Sequence, residues 1–207
     1  TDYAERGIPA VRAFRNGQVV AEFGGLRTEP QIREFLKDLT PAPSDLAVGR
    51  ANSLLGKSEW QQAEEAFRKE LYENPDHPGA LIGLAKSLLA QGRPVDALPV
   101  LREFPVSKEY PAAEQMLPLA QAMAEMEMGE IKTKKNDEHA ALYANSLRLA
   151  GRGQIPAALD GLLEILRADK QYRKGEVRQV ILGLLQLLGE DNQQARAYRA
   201  ELASHLF

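Results

Sequence analysis

The chain has 207 residues, 44% of them apolar and 27% charged, with a net charge of −3 and no cysteine. That length allows one large domain or two small ones with a real core. It excludes disulfides, thiolate nucleophiles and cysteine-held metal, and the charge argues against non-specific nucleic-acid binding, which needs many phosphate-neutralising cations.

No apolar run approaches the roughly 20 residues that span a bilayer, so no membrane partner is expected. The first residue is Thr1, not Met, and no signal-peptide pattern follows. The expectation is that the chain starts inside a longer product.

The first element in chain order is a strand through Pro9–Phe14, where apolar residues partly alternate. Asn16-Gly17 then tolerates the positive φ of a tight hairpin turn. Val19–Phe23 is the returning strand, and Gly24-Gly25 ends it. Thr28, with Gln31 three residues later, has the form of a helix capping box. Ile32, Phe35, Leu36 and Leu39 share one face of the helix that follows. A hairpin with one helix leaves apolar faces uncovered. The Pro-rich stretch Thr40–Ser44 reads as a short linker.

Beyond that linker the pattern is helical to the end. Ser58-Glu59-Trp60-Gln61 is a second capping-box candidate, and Asp76 is a cap candidate after Asn74-Pro75. Gly92-Arg93-Pro94, Gly153-Gln154-Ile155-Pro156 and Gly189-Glu190-Asp191 are further stop-start signals.

An internal period is visible. Ala51 and Ala85, Leu54 and Leu88, and Ala63 and Ala97 are each 34 residues apart. This is the period of a helix-turn-helix repeat in which small residues let paired helices approach and large ones fill the gap to a neighbour. The segment 44–104 resembles two tetratricopeptide repeats. Ala51, Leu54, Ala63, Phe67 and Pro75 fall on signature positions of the first. Leu81, Leu84, Ala85, Leu88, Gly92, Ala97 and Leu101 do so in the second, and Arg50 departs from the pattern. The segment 138–207 resembles two degenerate repeats, and 111–131 reads as one longer connecting helix with Pro118 inside it.

Residues 1–40 resemble the C-terminal half of a thioredoxin-like domain. The features that match are Gly7-Ile8-Pro9, Phe14, Asn16-Gly17, Gly24-Gly25 and a closing helix through Phe35-Leu36. The expected fold class is mainly α, with tetratricopeptide-like repeats preceded by this β-β-α unit. Together the two resemblances point to the bacterial thioredoxin-like co-chaperones called chaperedoxins. The half that carries the family's cysteine motif is missing here, so redox activity is not carried over. The resemblance implies a cytoplasmic bacterial holdase module that binds unfolded clients and docks to ATP-dependent chaperones, the chaperonin included. It also implies a cis peptide at Ile8-Pro9.

Binding without bond chemistry suits the candidate residues. Ile8 and Pro9 would offer a client an edge for strand addition. Met116, Met123 and Met126 roughly share a helix face, which either fills a core or offers an adaptable client surface. Tyr198, Leu202 and Leu206 share a face of the last helix before Phe207, which is either tucked in or offered to a partner. The open half-sheet is expected to be poorly ordered or to pair with another copy as a homodimer.

Other chemistry is poorly supported. Ala51–Ser58 fits a relaxed phosphate loop only in spelling, because it lacks the strand before it and the glycine-rich centre. His77, His139 and His205 are too scattered for a metal site, so neither metal nor cofactor is expected. Glu64-Glu65 with Arg68-Lys69 reads as a solvated, salt-bridged face. Lys132-Thr133-Lys134-Lys135 reads as a basic loop near a helix end. The chain itself is expected not to be an enzyme. Two other readings stand beside the holdase: the substrate-orienting part of a thiol-disulfide oxidoreductase, and a scaffold with one fixed partner.

Overall fold

A computed structural model describes residues 8–15, 18–40, 42–131, 137–189 and 192–206. The Asn16-Gly17 turn, the basic run 132–135, Asp191 and Phe207 lie outside the described residues. The chain divides into two compact units, Thr1–Leu46 and Ala47–Phe207.

In the first unit, β1 (Ala10–Arg15) pairs antiparallel with β2 (Gln18–Gly24). The register shifts between Ala13 and Phe14, so Ala13 faces Ala21 while Phe14 faces Val19. Gly25, at φ +84°, closes the hairpin by donating its N–H to the Pro9 carbonyl at 2.8 Å. The helix α1 (Glu29–Leu39) begins as expected. The Thr28 N–H donates to Gln31 Oε1 at 3.0 Å, satisfying a backbone donor at the helix start.

The expected linker is shorter than the composition suggests. α2 (Pro43–Gly56) starts inside it, and its first turn is closed by the Leu46 N–H on the Ala42 carbonyl. Proline is well placed at a first helical position, where its missing N–H costs nothing.

The second unit continues with α3 (Trp60–Glu73), α4 (Pro78–Ala90), α5 (Pro94–Arg102), α6 (Tyr110–Glu127), α7 (Ala140–Ala150), α8 (Ile155–Ala168), α9 (Glu176–Leu188) and α10 (Gln193–Leu206). Ala51, Ala85, Ala63 and Ala97 are all buried, as the period requires. The Phe67 ring lies on Gly83: a Cβ added there would stand 2.2 Å from the ring edge. α4 is buried on nearly every side, between α3, α5 and α6.

α6 is more than a connector. It packs against α5 and α7, and most extensively against α9, while α7, α8 and α9 follow one another in contact. Four helices thus close a ring, with α9 returning to α6. α9 approaches α6 most closely at Gly183, where a Cβ would lie 2.8 Å from Leu119 Cβ, and Gln186 donates to Gln115 at 2.8 Å nearby.

Two expected caps are replaced. Ser58 does not open α3. It sits at φ 60°, its N–H bonds the Leu55 carbonyl at 2.9 Å, and the Glu59 N–H bonds the Leu54 carbonyl at 3.0 Å. The same pair of bonds recurs around Gly92 (to Leu89 and Leu88) and Gly153 (to Ala150 and Leu149), both at positive φ. This is the left-handed helix stop that favours glycine. Ser58 and Gly92 are 34 residues apart, so Ser58 holds the repeat's turn position. At α4 the cap is His77, not Asp76: Nδ1 accepts the Ala80 N–H at 3.3 Å.

Candidate interaction site

Among the described residues, the first unit buries none of its large apolar side chains. Nine of the fourteen such side chains exposed among the described residues lie in Thr1–Leu46, less than a quarter of the chain. Phe23 and Phe35 meet edge-to-face at 4.8 Å, with the Arg27 guanidinium over the Phe23 ring at 5.5 Å. That contact fastens α1 to the hairpin. It leaves Phe14 57% exposed and Leu26 91% exposed, with Val11, Val19, Val20 and Leu36 open to solvent as well.

Ile8 is 90% exposed and its peptide bond to Pro9 is cis, as the resemblance implied. The Pro9 carbonyl is already taken by Gly25. In the two-stranded sheet each strand keeps one outer edge without a strand partner among the described residues. An open edge beside exposed apolar side chains is the arrangement that captures an extended apolar segment.

The other candidate residues fall elsewhere. Met116 is 0% and Met123 2% exposed, so neither presents a surface to a client; they face the core because α6 packs on both flanks. Met126 is half-buried. The C-terminal helix is tucked rather than offered. Leu202 is 4% exposed, and the Tyr198 hydroxyl donates to Asp160 at 2.8 Å on α8. Burial and the Asp160 carboxylate raise the Tyr198 phenol to about 12. The Leu206 side chain and Phe207 lie outside the described residues.

The acidic pair on α3 splits. Glu65 is exposed, but Glu64 is buried and holds three partners. Arg93 Nη1 spans both its oxygens at 2.8 and 2.9 Å, Gln91 donates at 2.8 Å, and Arg68 at 2.9 Å. Burial alone would raise this carboxyl. The hydrogen bonds from Gln91, Arg93 and Arg68 outweigh it and hold it below its ordinary value. Glu64 therefore ties one repeat to the turn of the next. Local charge alternation hid this, since the partners are 27 and 29 residues away.

A second network closes the α7 end. Tyr143, fully buried, donates to Glu176 at 2.6 Å, and Arg173 stacks over its ring at 4.9 Å while bonding Glu176 at 3.0 Å. Arg173 and Lys174 hold left-handed φ values of 50° and 58°, a costly geometry for residues with a Cβ. The ion pairs of Arg173 fasten that turn. Both networks are satisfied internally, so each serves the fold.

Models of the tetratricopeptide repeat match residues 54–107 and 119–207. The chain therefore carries tetratricopeptide repeats, and the second match takes in the C-terminal half of α6. It is similar to the cellulose synthase operon protein C of Pseudomonas fluorescens, 26% identical over 80% of this chain. The match spans only 12% of that protein's length. An uncharacterized protein of Haemophilus influenzae is 24% identical over 98% of the chain and 96% of its own length. Among the described residues no helix is long and apolar enough to cross a membrane.

Proposed function

We propose that the chain is a protein-binding co-chaperone module. Its N-terminal β-β-α unit would hold apolar segments of unfolded clients, and its repeats would dock to an ATP-dependent chaperone such as the chaperonin. One observation carries the reading: exposed apolar side chains concentrate in Thr1–Leu46, beside unpaired strand edges. Helical repeats support it, since stacked repeats create extended surfaces for proteins. The cytoplasmic setting and the chaperedoxin kinship rest on the resemblance of residues 1–40. No thiol chemistry is assigned to this chain, which has no cysteine.

Light scattering of a heat-aggregating client, with and without the chain, tests this. Suppression that Ile8→Asp with Phe14→Ser abolishes is the expected result. Unaltered aggregation at excess chain refutes it.

A scaffold with one fixed partner is the second reading. It is favoured by the burial of Met116, Met123 and Leu202, which removes adaptable surface from the helical unit. One stoichiometric partner in a pull-down, in place of many clients with a chaperone, would select it.

A further inference from the structure

Three successive residues in the turn between α8 and α9 are left-handed: Arg173 at φ 50°, Lys174 at φ 58° and Gly175 at φ 84°. Glycine adopts that region freely, but a residue with a Cβ is penalised there. Among the described residues, Ser58 is the only other non-glycine residue at positive φ, and it stands alone. A left-handed pair persists only where its surroundings hold it.

What holds this pair is polar and reaches in from other helices. Arg173 donates from Nε to Glu176 at 3.0 Å, and its Nη2 lies 3.6 Å from Glu125 on α6. Its guanidinium stacks on Tyr143 of α7, whose hydroxyl donates to the other oxygen of Glu176 at 2.6 Å. The Tyr172 hydroxyl donates at 2.9 Å to Asp137, just before α7. The Tyr172 ring meets His139 and Tyr143 edge-on, with centroids 5.4 and 6.1 Å apart. Water replaces bonds of this kind when they open, so their net hold is modest, while an opened backbone recovers its strain.

We propose that this turn is a strained clasp, through which the α7–α9 end of the helical unit opens while the rest of the repeats stays folded. Opening frees Tyr172 from Asp137 and lets Arg173 and Lys174 relax to ordinary backbone angles. It also bares Tyr143 and Val177, both fully buried when the clasp is closed. Local openings of this kind are drawn from the least stable parts of a fold. The clasp is a conformational device of the helical unit and does not rest on client holding at the N-terminal unit.

The test is chymotrypsin cleavage of the full chain after Tyr172, in urea below the global transition, with fragments identified by mass. The ring must leave its seat beside Asp137 to enter the protease, so at low protease the rate follows the open population. Cleavage after the fully buried Phe67 reports unfolding of the repeat core in the same sample. The Tyr172 rate should rise with urea at less than about half the slope of the Phe67 rate, because a partial opening exposes less surface. Lys174→Gly should slow cleavage after Tyr172 by at least about threefold, since it removes left-handed strain. A loop that was only flexible would be cleaved faster with glycine. Glu176→Gln should speed it by at least about threefold, by neutralising the acceptor that Arg173 and Tyr143 share. Equal urea slopes at Tyr172 and Phe67 would overturn the proposal, since the turn would then open only with the whole fold. So would faster cleavage in Lys174→Gly, or an unchanged rate in Glu176→Gln.

Discussion

The two units of this chain solve the problem of apolar surface in opposite ways. The helical unit contains every buried apolar side chain among the described residues, from Val48 to Leu202. The β-β-α unit contains none among the described residues, and is fastened by surface contacts such as the Phe23–Phe35 pair, the Thr28 capping bond and the ion pairs Arg12–Glu22 at 3.1 Å and Arg33–Glu29 at 2.8 Å. An exposed ion pair contributes about 0–1 kcal/mol, and an aromatic pair about 0.5–1.5 kcal/mol beyond its buried area. The stability of the molecule therefore resides in the repeats, while its exposed apolar surface resides in the short unit. Substitutions should separate these two properties cleanly.

The largest effect is expected at the centre of the repeats. Phe67 is fully buried against Gly83. Phe67→Ala should cost about 3–5 kcal/mol, the sum of lost burial and the cavity left behind. Urea unfolding followed by circular dichroism would measure it. A cost below about 1 kcal/mol would mean that the repeat core is not the seat of stability.

Next in size is a pair of turn substitutions that the 34-residue spacing makes comparable. Gly92→Ala places a Cβ at positive φ and 2.7 Å from the Gly151 carbonyl oxygen. It should cost about 2–4 kcal/mol, combining left-handed strain with a backbone clash. Ser58→Gly makes the reverse change at the equivalent turn, where the side chain is exposed. It should stabilise by about 1 kcal/mol, the left-handed penalty relieved less the freedom that glycine adds to the unfolded chain. Thermal melts of both variants would show opposite shifts in Tm.

That pair also shows how far sequence reasoning reached. The repeat was readable from Ala51/Ala85 and Ala63/Ala97, because small buried residues recur wherever helices must touch. The hairpin and α1 were readable from local turn and cap chemistry. The error at Ser58 came from preferring a local motif, the capping box, to the long period, which already aligned Ser58 with Gly92. The tucked α10 and the buried Met116 and Met123 were harder. Periodicity shows that a face is apolar, but not which helix covers it, and α9 returning to α6 is a contact between residues some 70 positions apart, as with Gln115 and Gln186.

The pH dependence should be smaller and should again belong to the helical unit. Tyr172 is raised to about 12 by burial and by the Asp137 carboxylate that accepts its proton, and Tyr198 similarly by burial and Asp160. In the unfolded chain these phenols ionise near 10. The folded state thus holds protons that the unfolded state releases, so stability is full below pH 10 and declines between pH 10 and about 12. Glu64 has the opposite sign. Its carboxyl is held low in the fold, so its contribution is present above the ordinary carboxylate range and fades as pH falls through its folded value. Tyr172→Phe with Tyr198→Phe should make the alkaline decline shallower, with the remainder carried by Tyr143, whose phenol burial and the Glu176 carboxylate also raise, and leave the acid limb unchanged, as urea midpoints across pH would show.

The smallest stability effect is the most informative about function. Phe14 and Leu36 are more than half exposed in the β-β-α unit, so replacing both with serine removes little buried surface. Each change should stay within about 0.5 kcal/mol, the usual bound for surface positions. The same double variant removes two of the side chains that would grip an apolar client segment. If stability is preserved and client protection falls, then the unit's exposed surface is retained for binding. If stability drops by several times that bound, the surface is covered in solution, by another copy of the chain or by further protein, and the concentration dependence of Tm would tell these apart, because only self-association makes stability rise with protein concentration.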